Sequence, residues 1–410
     1  MAMKVVLAYS GGLDTSCILA WLIEEGYDVV AFMADLGQEE DFAAAEKKAL
    51  KIGAKKVTVE IARCTARSSH VFPVNSDAVQ LVSNIFLQNI CCQPSHQQGI
   101  PSESREMGAV FQLKKNTLYI NAMVCATCKP CVHVIAPWRM PEFYNRFKGR
   151  QDLFEYAKEH NIDVPVTPSA PWSMDANIMH VRRVITSYES GVLEDPYLSA
   201  PENLYSMTVD PKDAPNDPDT LEIEFKSGKP IQVTNTRTQD VKMAPLELFA
   251  YLNKIGGKHG VGRIDIVENR VIGMKSRGVY ETPAGTILHA AHMDLEVFTM
   301  DKEVLRIKRD LASKFSEQVY GGLWYSPEAG FTRSCLTLSQ ACVTGTVRLD
   351  LFKGHVYIRG RWAPNSLYNR ELVSMDVQGD YTPSDADGFI KIQALRLKEW
   401  HRVNKTAEQP

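Results

Sequence analysis

The run from Ala8 to Ser16, Ala-Tyr-Ser-Gly-Gly-Leu-Asp-Thr-Ser, combines paired glycines with hydroxyl side chains and one carboxylate. The apolar segment Val5–Ala8 that leads into it predicts a buried strand, and Cys17–Glu25 has the spacing of an amphipathic helix. A glycine-rich turn between a strand and a helix lets backbone N–H groups converge on an anion, and the helix N-terminus adds partial positive charge. Because Gly11 and Gly12 allow close backbone approach, the run predicts a phosphate-binding turn.

The other side chains of this turn narrow the type of phosphate site. Ser10, Thr15 and Ser16 add hydroxyl donors, and Thr15 or Ser16 is expected to cap the helix. The turn has no lysine, which excludes the P-loop type. It is similar to the Ser-Gly-Gly-x-Asp-Ser/Thr signature of ATP pyrophosphatases, which hold the pyrophosphate of ATP and transfer AMP to an acceptor. The ATP-binding residues expected from this resemblance are Ala8, Tyr9, Ser10, Gly11, Gly12, Leu13, Asp14, Thr15 and Ser16.

The segments after the turn alternate between strand and helix patterns. Val29–Ala34 reads as a second buried strand, Asp41–Ile52 as a helix closed by Gly53, and Lys56–Ile61 as a third strand. This βαβαβ order predicts an α/β domain with a doubly wound parallel sheet, and places the turn at the carboxyl end of a strand. The pattern resumes with a strand at Val132–Trp138 and a helix at Gln151–His160.

The proline-rich stretch Val164–Pro171 predicts a domain boundary, and the chain beyond it has mixed α+β character. We expect the apolar residues Val304, Ile307, Leu311 and Phe315 of a long helix to be buried. The predicted elements are strands Leu221–Phe225 and Pro230–Thr234, helices Leu246–Ile255 and Met300–Tyr320, a hairpin of Val347–Leu351 with His355–Arg359, and a terminal helix at Asp387–Asn404.

The amino-acid composition limits the classes of protein to which the chain can belong. The chain has 410 residues, of which 44% are hydrophobic and 23% charged, as in a globular protein of two or three domains. A net charge of −3 gives no indication of a nucleic-acid partner, and no apolar run is long enough to predict a membrane span. An odd number of cysteines, nine, and no room for a signal peptide before the first strand favour the reducing cytosol.

Three longer blocks resemble the argininosuccinate synthase family of animals. They are Val134–Tyr144, Val166–Asp175 and the run that begins Lys258-His-Gly-Val-Gly-Arg. The resemblance implies a cytosolic enzyme that joins citrulline and aspartate with ATP and Mg²⁺, giving AMP, pyrophosphate and argininosuccinate. It also implies a homotetramer whose C-terminal helix reaches neighbouring subunits. The domains would be an ATP-binding domain at 1–165, a synthetase and oligomerisation domain at 166–380, and the C-terminal helix at 381–410.

The same resemblance implies further binding residues. Ala34 matches a position that contacts adenosine, and Ser173, Ser187, Glu268 and Tyr280 match citrulline-binding positions. Citrulline carries a carboxylate, an ammonium and a ureido group, which hydroxyls and a carboxylate can recognise. From the residues alone, Glu268 could instead be a solvated loop acid and Ser173 a turn residue or helix cap.

The resemblance is lost between about 62 and 132. The family's glycine-rich run for ATP phosphates and aspartate is missing there, so no aspartate-binding residue is identified. We interpret the segment as read in a wrong frame or as wrongly joined exons. A second departure is Val181–Thr186, six residues where the family has one, which would push Ser187 off a helical phase shared with Ser173.

Cysteines in this segment allow other interpretations. Cys125, Cys128 and Cys131, with His133 close by, have metal-ligand spacing, but no fourth ligand is evident and we expect no metal site there. Some enzymes with this ATP signature are tRNA thiolases, which need a reactive cysteine pair and a basic surface that this mildly acidic chain lacks. A non-catalytic family member, or an aberrant product that keeps ATP binding or assembly, is the second alternative.

Overall fold

The computed structural model describes residues 3–35, 41–61, 107–110, 132–163, 172–176, 181–185, 193, 195–269, 273–321, 323, 326–373, 382 and 384–405. The chain divides into two compact units, Met1–Asn365 and Ser366–Pro410. The predicted domain boundary Val164–Pro171, the predicted citrulline residue Ser187 and the three clustered cysteines Cys125, Cys128 and Cys131 lie outside the described residues.

A parallel sheet in the order β3-β2-β1-β4-β5 forms the N-terminal part of the first unit and confirms the α/β class. Strand order reverses beside the central β1, and ligands of doubly wound sheets bind at such a reversal, at the carboxyl ends of the strands. The elements are β1 (Lys4–Ala8), α1 (Leu13–Glu24), β2 (Asp28–Asp35), α2 (Phe42–Ile52), β3 (Lys56–Ile61), β4 (Met107–Val110), β5 (Val132–Ile135), α3 (Pro141–Tyr144) and α4 (Arg150–Glu159).

Helix α1 begins at Leu13, earlier than the amphipathic pattern predicted. Gly12 is its N-cap and no side chain caps it, so the prediction that Thr15 or Ser16 is the cap is wrong. Both hydroxyls lie inside the first helical turn, where they bond back into the glycine-rich turn. The middle of α1, from Cys17 to Leu22, is buried, with Trp21 packed edge-on against Phe143 at 5.1 Å between ring centroids.

The ends of α2 follow the sequence prediction. Asp41 caps its start by accepting a hydrogen bond from Ala44 N at 2.9 Å, and Gly53 closes it with a φ of 121°. By contrast, β5 stops at Ile135, short of the predicted Trp138, because Pro137 opens a 3₁₀ turn and cannot donate to a strand ladder.

The remainder of the first unit contains two antiparallel sheets, ordered β10-β9-β8-β13-β14 and β11-β12-β7-β6. The apolar face of the first sheet, including Leu221, Ile223 and Leu349, packs against α5 and α6. The elements are β6 (Trp172–Ala176), β7 (Val181–Ile185), β8 (Asp219–Lys226), β9 (Lys229–Asn235), β10 (Val241–Lys242), α5 (Pro245–Lys258), β11 (Arg263–Asn269), β12 (Lys275–Glu281), α6 (Pro283–Thr299), α7 (Lys302–Tyr320), α8 (Pro327–Ser339), β13 (Gly345–Phe352) and β14 (His355–Trp362).

The burial prediction for α7 is wrong at two of its four positions. Phe315 is buried and Leu311 is partly buried, but Val304 and Ile307 are 44% and 55% exposed. The buried face instead includes Lys308, whose ammonium lies 2.8 Å from the buried carboxylate of Glu296 on α6. A lysine cannot be read as a core residue from hydrophobic spacing, and the ion pair sets the rotation of the helix.

The second unit contains α9 (Arg370–Val373) and the long α10 (Asp385–Lys405). Apolar side chains of α10, among them Phe389, Ile392, Leu395 and Trp400, are exposed in the chain. Among the helices that the structure describes, none combines the length and the hydropathy needed to cross a membrane.

Candidate active site

The predicted phosphate-binding turn joins β1 to α1 at the carboxyl edge of the parallel sheet. Gly11 has a φ of +72°, a conformation that favours glycine, and Gly12 is extended. A Cβ at Gly11 would lie 3.3 Å from the Ala45 Cβ, so α2 packs directly on the turn. The first N–H groups of a helix have no partner within it, so the turn presents donors to an anion at the reversal of strand order.

Hydrogen bonds among its own hydroxyl groups brace the turn. The buried Tyr9 lies with its hydroxyl 3.1 Å from Ser16 Oγ, and Ser10 Oγ lies 3.2 Å from Thr15 Oγ1. Ser10 N also donates to Thr15 Oγ1 at 3.4 Å. Burial raises the pKa of Tyr9 against the smaller opposing effect of its bond to Ser16, so the phenol stays protonated. These contacts fix the shape of the turn.

Two charged groups accompany the turn. Asp14 Oδ1 is buried without a hydrogen-bond partner among the described residues, and Lys48 on α2 donates from Nζ to Gly11 O at 2.8 Å. A buried carboxylate oxygen without a partner is costly unless it gains one, and it is a hard ligand of the kind that Mg²⁺ prefers. Within the described part of the chain, no group of three or more potential metal ligands is found.

Ala34 lies in β2, next to the strand that ends at the turn. Ala8 pairs with Phe32 in the parallel register, so Ala34 lies two residues further toward the carboxyl edge. The buried Cys17 lies in α1, and burial raises the pKa of its thiol to about 12, which keeps the thiol protonated.

The predicted citrulline residues lie on the sheet β11-β12-β7-β6. Tyr280 on β12 donates from its hydroxyl to Glu268 Oε2 on β11 at 2.9 Å, so Glu268 is a strand residue and not a loop acid. Ser173 lies on β6 and is neither a turn residue nor a helix cap. Ser173 pairs with Val184 and Tyr280 pairs with Arg182. Because Val184 and Arg182 lie two residues apart on β7, Ser173 and Tyr280 occupy equivalent positions in the alternation of the sheet.

The extra residues 181–186 were expected to push Ser187 off a helical phase shared with Ser173, and the helical premise is wrong, because Ser173 lies in a strand; Ser187 itself lies outside the described residues. Val181–Ile185 forms β7, the strand that pairs with both β6 and β12. Among the described residues, the structure therefore places the predicted ATP residues at the turn and at the neighbouring β2, and Ser173, Glu268 and Tyr280 on one sheet.

Glu281, which follows Tyr280, supports the residues on this sheet and was missed in the sequence. Its buried carboxylate accepts hydrogen bonds from the backbone N–H groups of Ser206, Met207 and Thr208 at 2.8–2.9 Å, and from Thr208 Oγ1 at 2.7 Å. No local pattern could have revealed it, because its partners lie 73–75 residues away. These hydrogen bonds hold the end of β12 in place next to Tyr280.

We expect Gly278→Ala to weaken citrulline binding by about tenfold or more while leaving the fold intact. A Cβ at Gly278 would stand 2.7 Å from Cε2 of the Tyr280 ring, so the ring must turn away from Glu268. Loss of a hydrogen bond to a charged group costs about 1.5–3 kcal/mol, and about 1.4 kcal/mol is a tenfold change. The measurement is calorimetric titration with citrulline, together with thermal unfolding.

Gly360→Ala is the matched control for this substitution. Gly360 also lies in a strand, but a Cβ there meets nothing within 4 Å. Citrulline affinity that is equal in the two variants would contradict the role given to the Tyr280 ring.

Comparison with known proteins places the chain in a family. The Arginosuccinate synthase N-terminal HUP domain matches residues 4–94, and the Arginosuccinate synthase C-terminal domain matches residues 172–400. The first match extends to residue 94, so the expectation that the resemblance ends at about 62 is wrong for residues 62–94, and residues 95–171 lie between the two matches. Because both matched domains are those of the synthase, the tRNA-thiolase alternative is set aside.

Whole-length relatives agree with the domain matches. Argininosuccinate synthase of Xenopus tropicalis is 56% identical over 407 residues, which cover 98% of this chain and 98% of the relative. The synthases of Mus musculus and Homo sapiens are each 55% identical over 405 residues, covering 98% of this chain and 97% of theirs. The chain belongs to the argininosuccinate synthase family, a family of ligases.

Proposed function

We propose that this chain joins citrulline and aspartate at the expense of ATP, forming argininosuccinate and releasing AMP and pyrophosphate. The observation that carries the proposal is the braced glycine-rich turn at the reversal of strand order, in a chain that matches the synthases over 98% of its length. A turn of this geometry suits the pyrophosphate end of ATP.

We assign the pyrophosphate of ATP to the turn Ala8–Ser16 and the adenosine to the edge of β2 at Ala34. The N–H groups at the start of α1 and the Gly11–Gly12 backbone would hold the phosphate oxygens. Mg²⁺ would be held by Asp14 together with phosphate oxygens, since Mg²⁺ usually takes one or two carboxylates with substrate phosphates. When bound, Mg²⁺ supplies positive charge that stabilises the leaving pyrophosphate.

We assign citrulline to Ser173, Ser187, Glu268 and Tyr280. The Tyr280–Glu268 pair offers a carboxylate for the ammonium or the ureido N–H groups, and serine hydroxyls suit the carboxylate. Held there, the ureido oxygen attacks the α-phosphorus of ATP, the bond to pyrophosphate breaks, and the aspartate amine then displaces AMP. The part of this chain is to orient the two substrates, which lowers the entropic cost of both steps.

Pyrophosphate release tests this proposal. We expect release that requires ATP, citrulline and aspartate together, at a low rate, because segment 62–132 lacks the family's run for aspartate and the ATP phosphates. Release that does not depend on aspartate would contradict it. A chain that binds ATP and citrulline but releases no pyrophosphate would correspond to the non-catalytic alternative.

We further propose a cytosolic homotetramer, held in part by α10. Removing residues 387–410 is expected to abolish the tetramer, because the exposed apolar stripe of Phe389, Ile392, Leu395 and Trp400 would lose its partner surface. Light scattering gives the mass of the particle. The control is removal of 406–410 alone, which leaves the stripe complete. A tetramer that persists without α10 would refute the assignment.

A further inference from the structure

The phosphate-binding turn presents a problem of charge. The pyrophosphate end of ATP is strongly anionic, but the turn contains no lysine or arginine and its one charged residue, Asp14, is acidic. In nucleotide sites of the P-loop type, a lysine within the loop meets the phosphates. A cationic side chain for this turn, acting beside Mg²⁺, must therefore come from another element.

Helix α2 places one at the turn. Lys48 Nζ donates to Gly11 O at 2.8 Å, across the contact where a Cβ on Gly11 would meet Ala45 at 3.3 Å. The side chain is half-buried, and this burial lowers the pKa of its ammonium, with a smaller opposing effect from Asp163. Asp163 itself is 3.0 Å from the exposed Lys51.

We propose that Lys48 is a positioning residue for the pyrophosphate end of ATP. Its ammonium holds the Gly11 carbonyl away from the anion, so that the backbone N–H groups of the turn face the phosphates, and it adds the positive charge that the turn lacks. This inference rests on the proposed ATP site at Ala8–Ser16.

The orientation of one peptide group explains why this contact matters. A peptide that points its carbonyl oxygen toward a phosphate repels it, while the reversed peptide donates a hydrogen bond to it. Gly11, at a φ of +72°, has the backbone freedom to adopt several orientations, so donors to its carbonyl are needed to select one. Ser16 Oγ donates to Gly11 O at 3.5 Å, and Lys48 Nζ makes the shorter contact at 2.8 Å. Only a cationic donor both selects the peptide orientation and attracts the anion.

The test is titration calorimetry of the full chain with Mg²⁺–ATP, Mg²⁺–pyrophosphate and AMP. We expect Lys48→Met to weaken ATP and pyrophosphate binding by about tenfold or more, since hydrogen bonds to charged groups are the strong ones, and to change AMP binding less than threefold. Lys48→Arg, which keeps the charge, should retain most of the affinity. Lys48→Gln, which keeps a donor without charge, should resemble Lys48→Met.

Lys47→Met is the control, because Lys47 is an exposed lysine next to Lys48 on the same helix. The proposal is overturned if Lys48→Gln binds pyrophosphate like the unmodified chain, or if AMP binding falls in parallel with ATP binding, as a merely structural role would predict. If the unmodified chain does not bind ATP, the proposed ATP site and this inference fail together. If it binds ATP and Lys48→Met binds ATP equally well, only this inference fails.

Discussion

Asp14→Ala is expected to lower the affinity of the chain for Mg²⁺–ATP by about a hundredfold or more. Asp14 Oδ1 is buried and without a hydrogen-bond partner among the described residues, although it stands in the first turn of α1. A buried carboxylate oxygen without a partner destabilises the unliganded protein, and a bound cation removes this cost by pairing with the oxygen. A hundredfold loss of affinity corresponds to about 3 kcal/mol of binding free energy, which is the magnitude expected for one charged contact.

The dependence on metal makes this prediction specific. Without Mg²⁺, Asp14 would face the phosphates as a bare negative charge, so we expect the unmodified chain and Asp14→Ala to bind ATP about equally weakly. Calorimetric titration with and without Mg²⁺ measures both values. Glu25→Ala is the control, since Glu25 is an exposed acid at the other end of the same helix. Equal affinity of Asp14→Ala and the control in Mg²⁺ would remove the assignment.

The sequence was sufficient to predict the turn and most of the sheet that presents it, but not β4, which lies between β1 and β5. The glycine pair, the apolar strand before it and the alternation of elements after it are local signals. The elements β1, β2, α2 and β3 are present where they were expected, and α1 is present but begins earlier. The caps of α2 at Asp41 and Gly53 were predictable for the same reason. Local chemistry determines such features, so no knowledge of distant contacts is required.

Contacts between distant segments could not be predicted. Lys48 and Gly11 are 37 residues apart, and Glu281 is more than 70 residues from the backbone that it binds. The rotation of α7 depends on the ion pair of Lys308 with Glu296, which no hydrophobic pattern reveals. Ser173 was assigned a helical phase, but the extra residues 181–185 form a strand beside it. The pairing of these two segments as strands is a tertiary contact, and neither segment shows it in its own sequence.

Replacing residues 62–131 with the corresponding segment of the Xenopus tropicalis relative is expected to raise aspartate-dependent pyrophosphate release by several orders of magnitude. In the family resemblance, the missing run holds the two carboxylates of aspartate and the phosphates of ATP. The lysines of the present segment, Lys114, Lys115 and Lys129, have no glycine-rich run beside them in the sequence. Each charge-assisted hydrogen bond contributes about 1.5–3 kcal/mol, so several of them together would give a rate difference of this size.

Citrulline affinity should change far less in this chimera than aspartate affinity, because the Tyr280–Glu268 pair lies on β11 and β12, outside the exchanged segment. Coupled detection of pyrophosphate at saturating ATP and citrulline, with aspartate varied, measures the difference. The chimera that also carries Asp14→Ala is the control, and it should release little pyrophosphate because the turn is still required. Turnover of the unmodified chain close to that of the chimera would show that segment 62–131 serves aspartate with residues of its own.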